Sequence, residues 1–196
     1  MKWLKQLNFI LGALLAFVLL VGAWQLTAVA SDEPAQAAGW VEPQKSDIPG
    51  IYNFTQVGQT VAFGGATQPS AMASLKERGY GSVINMRLAN ETGVNIEAAR
   101  SAAEAAGLEY IHIPFNSSDP DPQLMDRFLA AIGNSDNQPP YVHCGSATRV
   151  AALWMIKRVQ QDGWPIDAAS KEAEMIAGKP QQAIAYATRY LSSDSR

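Results

Sequence analysis

The chain has 196 residues, 47% of them hydrophobic and 17% charged, which suits one globular domain with an N-terminal segment and excludes a disordered chain. Its formal charge is −3, and setting aside Lys2 and Lys5 deepens the excess of acidic over basic residues. With no lysine/arginine cluster besides, nucleic acid is excluded as a partner.

Lys2 and Lys5 precede an almost uncharged apolar run over residues 9–24, and Ala28-Val29-Ala30 stands before Ser31-Asp32. This is the layout of an export signal, with cleavage expected after Ala30 and a second small-residue site at Ala35-Gln36-Ala37. Residues 9–30 are also long enough for an uncleaved anchor, although Gln25 and Thr27 interrupt the run and favour cleavage. The protein is expected outside the cytoplasm, in a periplasm, with attachment to the inner membrane as the alternative. Residues 31–50 are rich in Ala, Pro, Gln and Glu and read as a linker, which leaves 51–196 for the domain.

Short strands are expected over 54–57 and 61–63, joined as a hairpin through Gly58-Gln59-Thr60. Ser70 is expected to cap a helix over 70–78 that Gly79 stops. A buried strand over 82–87 leads through a polar loop to an alanine-rich helix over 96–106, stopped by Gly107. Residues 109–113 alternate as a strand. Asp121-Pro122 opens a helix to about Gly133. A strand runs from Tyr141 to His143, and the pattern Val150, Ala151, Leu153, Trp154, Ile156 is helical. Two more helices, over 165–177 and 180–191, finish the chain. Trp154, Trp164 and Tyr186 are read as packing residues. The alternation of strands and helices predicts an α/β fold, a mostly parallel open sheet flanked by helices.

The chemistry is expected where that sheet's last strand ends. Cys144, the one cysteine, follows the strand and precedes the small residues Gly145, Ser146, Ala147 and Thr148, then Arg149 and a helix. Loop amides, the positive end of the helix dipole and a guanidinium fork converge there as an anion cradle with a thiol at its base. Such a field favours thiolate over thiol, so Cys144 is the candidate nucleophile. A lone cysteine has no disulfide partner in its own chain, and one cysteine with two histidines cannot fill the usual ligand spacings of a metal site, so no metal or cofactor is expected.

His143-Cys144 after an apolar strand, closed by Arg149, resembles the signature loop of the cysteine-dependent protein tyrosine and dual-specificity phosphatases. Residues 83–87, 107–114 and 162–169 are most similar to the bacterial phosphatase-like domain that also occurs fused to beta-lactamase-like hydrolases, whose loop has the form Cys-Arg-Ser-Gly-Thr-Arg. The resemblance implies a dual-specificity-phosphatase-like fold and a two-step displacement: Cys144 attacks a phosphomonoester, the loop amides and Arg149 hold the phosphoryl oxygens, and water releases the phosphocysteine. His143 would support the thiolate, and the substrate would be a phosphorylated protein or a small phosphomonoester, handled by a monomer.

Three features depart from the phosphatase pattern. Four residues, not the usual five, separate cysteine from arginine, a spacing shared with the hydrolase-fused family and with rhodanese-like sulfurtransferases. Val150 stands where tyrosine phosphatases place a serine or threonine, leaving Ser146 or Thr148 to assist the departing thiolate. The expected place of the general acid falls on Asn116 or Ser117, so Asp119, a few residues on, is the candidate acid, with a solvated turn as its other reading. Arg87 and Arg100 are read as surface pairs. Besides phosphatase action, the sequence admits a sulfurtransferase or persulfide carrier using Cys144, and a non-catalytic anion-binding or redox domain.

Overall fold

The structure, a computed structural model, describes residues 39–194, and the expected export or anchor segment lies outside them. Strands β1 (Gln44–Lys45), β2 (Thr55–Val57), β3 (Val61–Gly64), β4 (Ser82–Asn85), β5 (Glu109–His112) and β6 (Pro140–His143) form one six-stranded sheet in the order β1-β2-β3-β6-β4-β5. From β3 to β5 neighbouring strands run parallel, while the expected hairpin adds β2 and β1 antiparallel at one edge. The sheet is therefore mixed. The departure comes from residues read as linker: Gln44 and Lys45 pair with Gln56 and Thr55, and Ile48 is buried behind them. Two polar residues carry no hydrophobic period, so a strand made by backbone pairing at an edge left no pattern to read.

Helices α1 (Met72–Glu77) and α2 (Ile96–Ala105) lie on one face of the sheet, and α3 (Leu124–Gly133), α4 (Thr148–Gln160), α5 (Ile166–Ile176) and α6 (Pro180–Asp194) on the other. Successive strand residues point to opposite faces. Accordingly Ala62, Val83 and Tyr141 join the core with Leu75 and Ala103, and their neighbours Phe63, Ile84 and Val142 join the core with Phe128 and Leu153. With both faces covered, the central strands read as unbroken apolar runs. Helix α4 is buried at every position over 150–156, which makes it the central helix of its layer.

The helix boundaries follow the turn chemistry except at the starts of α1 and α3. Asn95 accepts a hydrogen bond from the Ala98 amide at 2.9 Å to open α2, and Gly107 follows its end at φ 75°. Asp121 accepts from the Gln123 amide at 2.9 Å and pairs with Arg127 at 2.8 Å, although α3 proper begins at Leu124. Ser70 caps nothing. Residues Pro69–Ala71 form a 3-10 turn that runs straight into α1, so Ser70 lies inside the helical path instead of ahead of it.

Because β3, β6 and β4 are parallel and in register, Gly64, His143 and Asn85 stand side by side at their carboxyl ends. The segments that follow them, and the one that follows β5, meet around Cys144. That edge is where open α/β sheets gather their ligand sites.

Candidate active site

The loop from Cys144 to Arg149 leaves the sheet at its centre and enters α4 through Ala147, whose φ of 62° is left-handed. Two outward bonds fix its shape. The Gly145 carbonyl accepts from the Ala66 amide at 3.0 Å, and the Ser146 carbonyl accepts from the Gly178 amide at 2.8 Å. A trans peptide sets its carbonyl and the next N–H on opposite sides, so these anchors turn the amides of Ser146 and Ala147 the other way. The N-terminal end of α4, with its positive dipole end, closes the loop. Both anchors require glycine nearby: a Cβ on Gly65 would meet the Gly145 carbonyl at 3.0 Å, and one on Gly178 would overlap the Ser146 carbonyl oxygen.

The side chains of Ser146 and Thr148 hydrogen-bond to each other at 2.9 Å, and the Thr148 hydroxyl accepts from the Lys179 amide at 3.1 Å. Thr148 thus joins the loop to the turn before α6. The bond between the two hydroxyls uses one proton, so one hydroxyl keeps a free donor for a departing sulfur or a bound oxygen.

Arg149 is held between Glu91, the Phe115 carbonyl and Cys144. Its Nη1 donates to the Phe115 carbonyl at 2.9 Å and to Glu91 Oε1 at 2.6 Å. Nη2 lies over the loop with Glu91 Oε2 beside it, each 3.6 Å from where a Cβ on Gly145 would sit. Burial works against the Arg149 charge, but Glu91 and Cys144 outweigh it and hold the guanidinium above its ordinary value. Glu91 is the residue sequence reasoning missed. Its Oε2 also takes Arg87 Nε at 3.0 Å, and its Oε1 takes the Leu88 amide at 2.9 Å. Burial alone would raise this carboxyl, but the bonds from Arg149, the Leu88 amide and Arg87 bring it down to about 2. The available signal was the i,i+4 spacing of Arg87 and Glu91 in the loop after β4. Arg87 is accordingly part of this network, with its side chain only 13% exposed, and not the surface pair expected. Arg100 does pair at the surface, with Glu97.

Cys144 is a free thiol, buried among the residues of the α4 face. His143 points to the other face of the sheet, its ring stacked on Tyr141 with centroids 5.7 Å apart. Neither ring nitrogen completes a hydrogen bond. Burial pushes the imidazole down to about 4, with the charges of Arg87 and Arg149 adding and the nearby backbone of Cys144 and Gly65 opposing. A neutral ring on the opposite face of the sheet does not act as an imidazolium beside the sulfur.

A cavity of about 250 Å³ opens beside the loop, with Ser146, Thr148 and Arg149 on one wall, Asn116 and Ser117 on another, and Lys179 and Gln182 on a third. Tyr186 lines it too. This residue, read as packing, meets Phe115 edge-on at 5.1 Å and also faces the cavity. Asp119 is exposed on the loop after β5 and is not among the lining residues. Among the described residues no three His, Cys, Asp or Glu side chains cluster as a metal site would need.

Residues 53–161 match the sequence model of the beta-lactamase hydrolase-like protein, phosphatase-like domain. The chain belongs to this family. No curated protein matches it in sequence. Solved structures of similar fold carry the phosphatase-like domain's architecture at low identity. Pseudomonas aeruginosa TpbA is 17% identical with a TM-score of 0.61, over 79% of this chain and 90% of that one. The DUF442 protein of Shewanella putrefaciens CN-32 is 20% identical with a TM-score of 0.56, over 72% and 92%. The catalytic core of the PP-IP phosphatase SIW14 from Saccharomyces cerevisiae is 16% identical with a TM-score of 0.57, over 76% and 96%. One structure of TpbA holds phosphotyrosine.

Proposed function

We propose that this protein is a cysteine-dependent phosphatase acting outside the cytoplasm on a phosphorylated protein or small molecule. One observation carries the reading. The Arg149 guanidinium is held by the Phe115 carbonyl and Glu91 beside Cys144, at the close of a loop whose carbonyls are anchored outward. That arrangement suits phosphoryl oxygens held by the guanidinium and the loop amides. The family match and the fold shared with phosphatases support the same reading.

In the mechanism so inferred, the Cys144 thiolate attacks phosphorus in line with the leaving oxygen. The loop amides and Arg149 meet the charge that develops on the equatorial oxygens. Water then attacks the phosphocysteine, and the free hydroxyl donor of the Ser146–Thr148 pair assists the departing sulfur. Asn116 and Ser117 hold the cavity wall, and Asp119, exposed and off that wall, does not stand at the leaving group.

The test is a parallel assay of the reduced protein with p-nitrophenyl phosphate and with thiosulfate and cyanide, using Cys144→Ser as control. Phosphate release that disappears in the control is the expected result. Sulfur transfer without phosphate release would replace the phosphatase reading with the sulfurtransferase one, and neither activity would leave a binding or redox domain.

A further inference from the structure

The substrate class of this site, granted the phosphatase reading, follows from the charges on the cavity wall. Arg149 and Lys179 stand on it, and α4 and α6 begin on it at Thr148 and just ahead of Gln182. No Asp or Glu is among the lining residues. The carboxylate bonded to Arg149 is Glu91, and with three donors on it Glu91 is ionised at neutral pH and has no proton to give. Asp119 lies outside the wall and is exposed.

A leaving group therefore meets cations and helix starts here, and no acid. An alkoxide expelled from an alkyl phosphate needs a proton in the transition state, which is what a general acid provides. A phosphate group expelled from phosphorus departs as a stable anion and needs none. Its charge is what Lys179 and the start of α6 would stabilise. Lys179 is available for this: it is exposed, its backbone amide is the part that holds Thr148, and its ammonium makes no ion pair among the described residues.

We propose that the site takes a phosphoanhydride, the end of a diphosphate group, with the terminal phosphoryl on the Cys144 loop and Arg149 and the leaving phosphate on Lys179 and Gln182. The bond from Cys144 Sγ to the terminal phosphorus forms as the bond from that phosphorus to the bridging oxygen breaks. The electron pair leaves with the bridging oxygen on the departing phosphate, unprotonated. Water then attacks the phosphocysteine and gives its proton to solvent. Inorganic phosphate leaves and Cys144 returns as thiolate.

The experiment compares kcat/KM of the full chain for methyl diphosphate, β-glycerophosphate and p-nitrophenyl phosphate. Methyl diphosphate is expected to exceed β-glycerophosphate by about a hundredfold or more, the factor a missing acid withholds from the alkyl ester. Lys179→Ala is expected to lower the ratio of methyl diphosphate to p-nitrophenyl phosphate by about tenfold, the worth of one charged hydrogen bond, and Gln182→Ala to lower it by less. Equal rates on the diphosphate and the alkyl ester, or a ratio unmoved by Lys179→Ala in protein whose circular dichroism is unchanged, would overturn the proposal while leaving the phosphatase reading intact. Phosphate from none of the three substrates would remove that reading itself.

Discussion

Replacing Glu91 by Gln tests whether one carboxylate organises the site. It keeps the shape of the side chain and removes the charge that Arg149 and Arg87 share. The Glu91 carboxyl sits at about 2 against an ordinary 4.5. At about 1.4 kcal/mol for each pH unit, that difference corresponds to about 3 kcal/mol. Water reaches the pair, with Glu91 23% and Arg149 18% exposed. Screening reduces the expected loss to about 1–2 kcal/mol at pH 7. The sign follows from the direction of the shift. A carboxyl lowered by folding stabilises the native state above its unfolded value near 4.5 and loses that contribution as pH falls toward 2. Urea unfolding of the wild type and Glu91→Gln from pH 7 to pH 3 should therefore show a gap that narrows below about pH 4.5 and falls under about half by pH 3. Phosphatase kcat/KM should fall by about tenfold or more, because the guanidinium loses the anchor that sets its plane. A stability gap that stays constant over this pH range, or full activity in the variant, would refute the reasoning.

Other substitutions probe the loop and the core. Ala147→Gly should change stability by less than about 1 kcal/mol in thermal unfolding, since relief of a left-handed alanine is offset by the loss of a fully buried methyl and the added freedom of glycine in the unfolded chain; a large loss of Tm would contradict this. Gly178→Ala should cost about 1–3 kcal/mol in urea unfolding and reduce activity, because its Cβ displaces the Ser146 carbonyl from its anchor. Glu172 is fully buried and accepts from Trp154 Nε1 at 2.7 Å and from Arg158 Nε and Nη2 at 2.8 Å. Glu172→Ala should cost about 3–5 kcal/mol by the same measurement, because Arg158 is left without its buried partner between Trp154 and Trp164.

The parallel half of the fold was legible because its strands are apolar runs and its helices carry strong start and stop residues, such as Asn95 and Gly107. Strand β1 was not, since Gln44 and Lys45 owe their conformation to pairing with Gln56 and Thr55 and not to side-chain pattern. In the site, Cys144 and Arg149 announced themselves through a local strand-loop-helix sequence, and the structure brings them together. The face on which His143 lies follows from strand alternation and could have been worked out once β6 was placed. Glu91 and Lys179 were hidden for a different reason. Each reaches the loop from a segment remote in sequence, and only the parallel register of β4 with β6, or the packing of α6 on α4, brings them there.

The anchoring of the Ser146 carbonyl by Gly178, and of Thr148 by Lys179, has a consequence for where this protein begins and ends as a working unit. The stretch that matches its family closes at residue 161, before either anchor. A fragment cut at that boundary would retain the cysteine, the arginine and every strand of the sheet, yet lack two of the donors that hold the loop's curvature. The stretch that matches the family model is thus shorter than the portion that shapes the reactive loop.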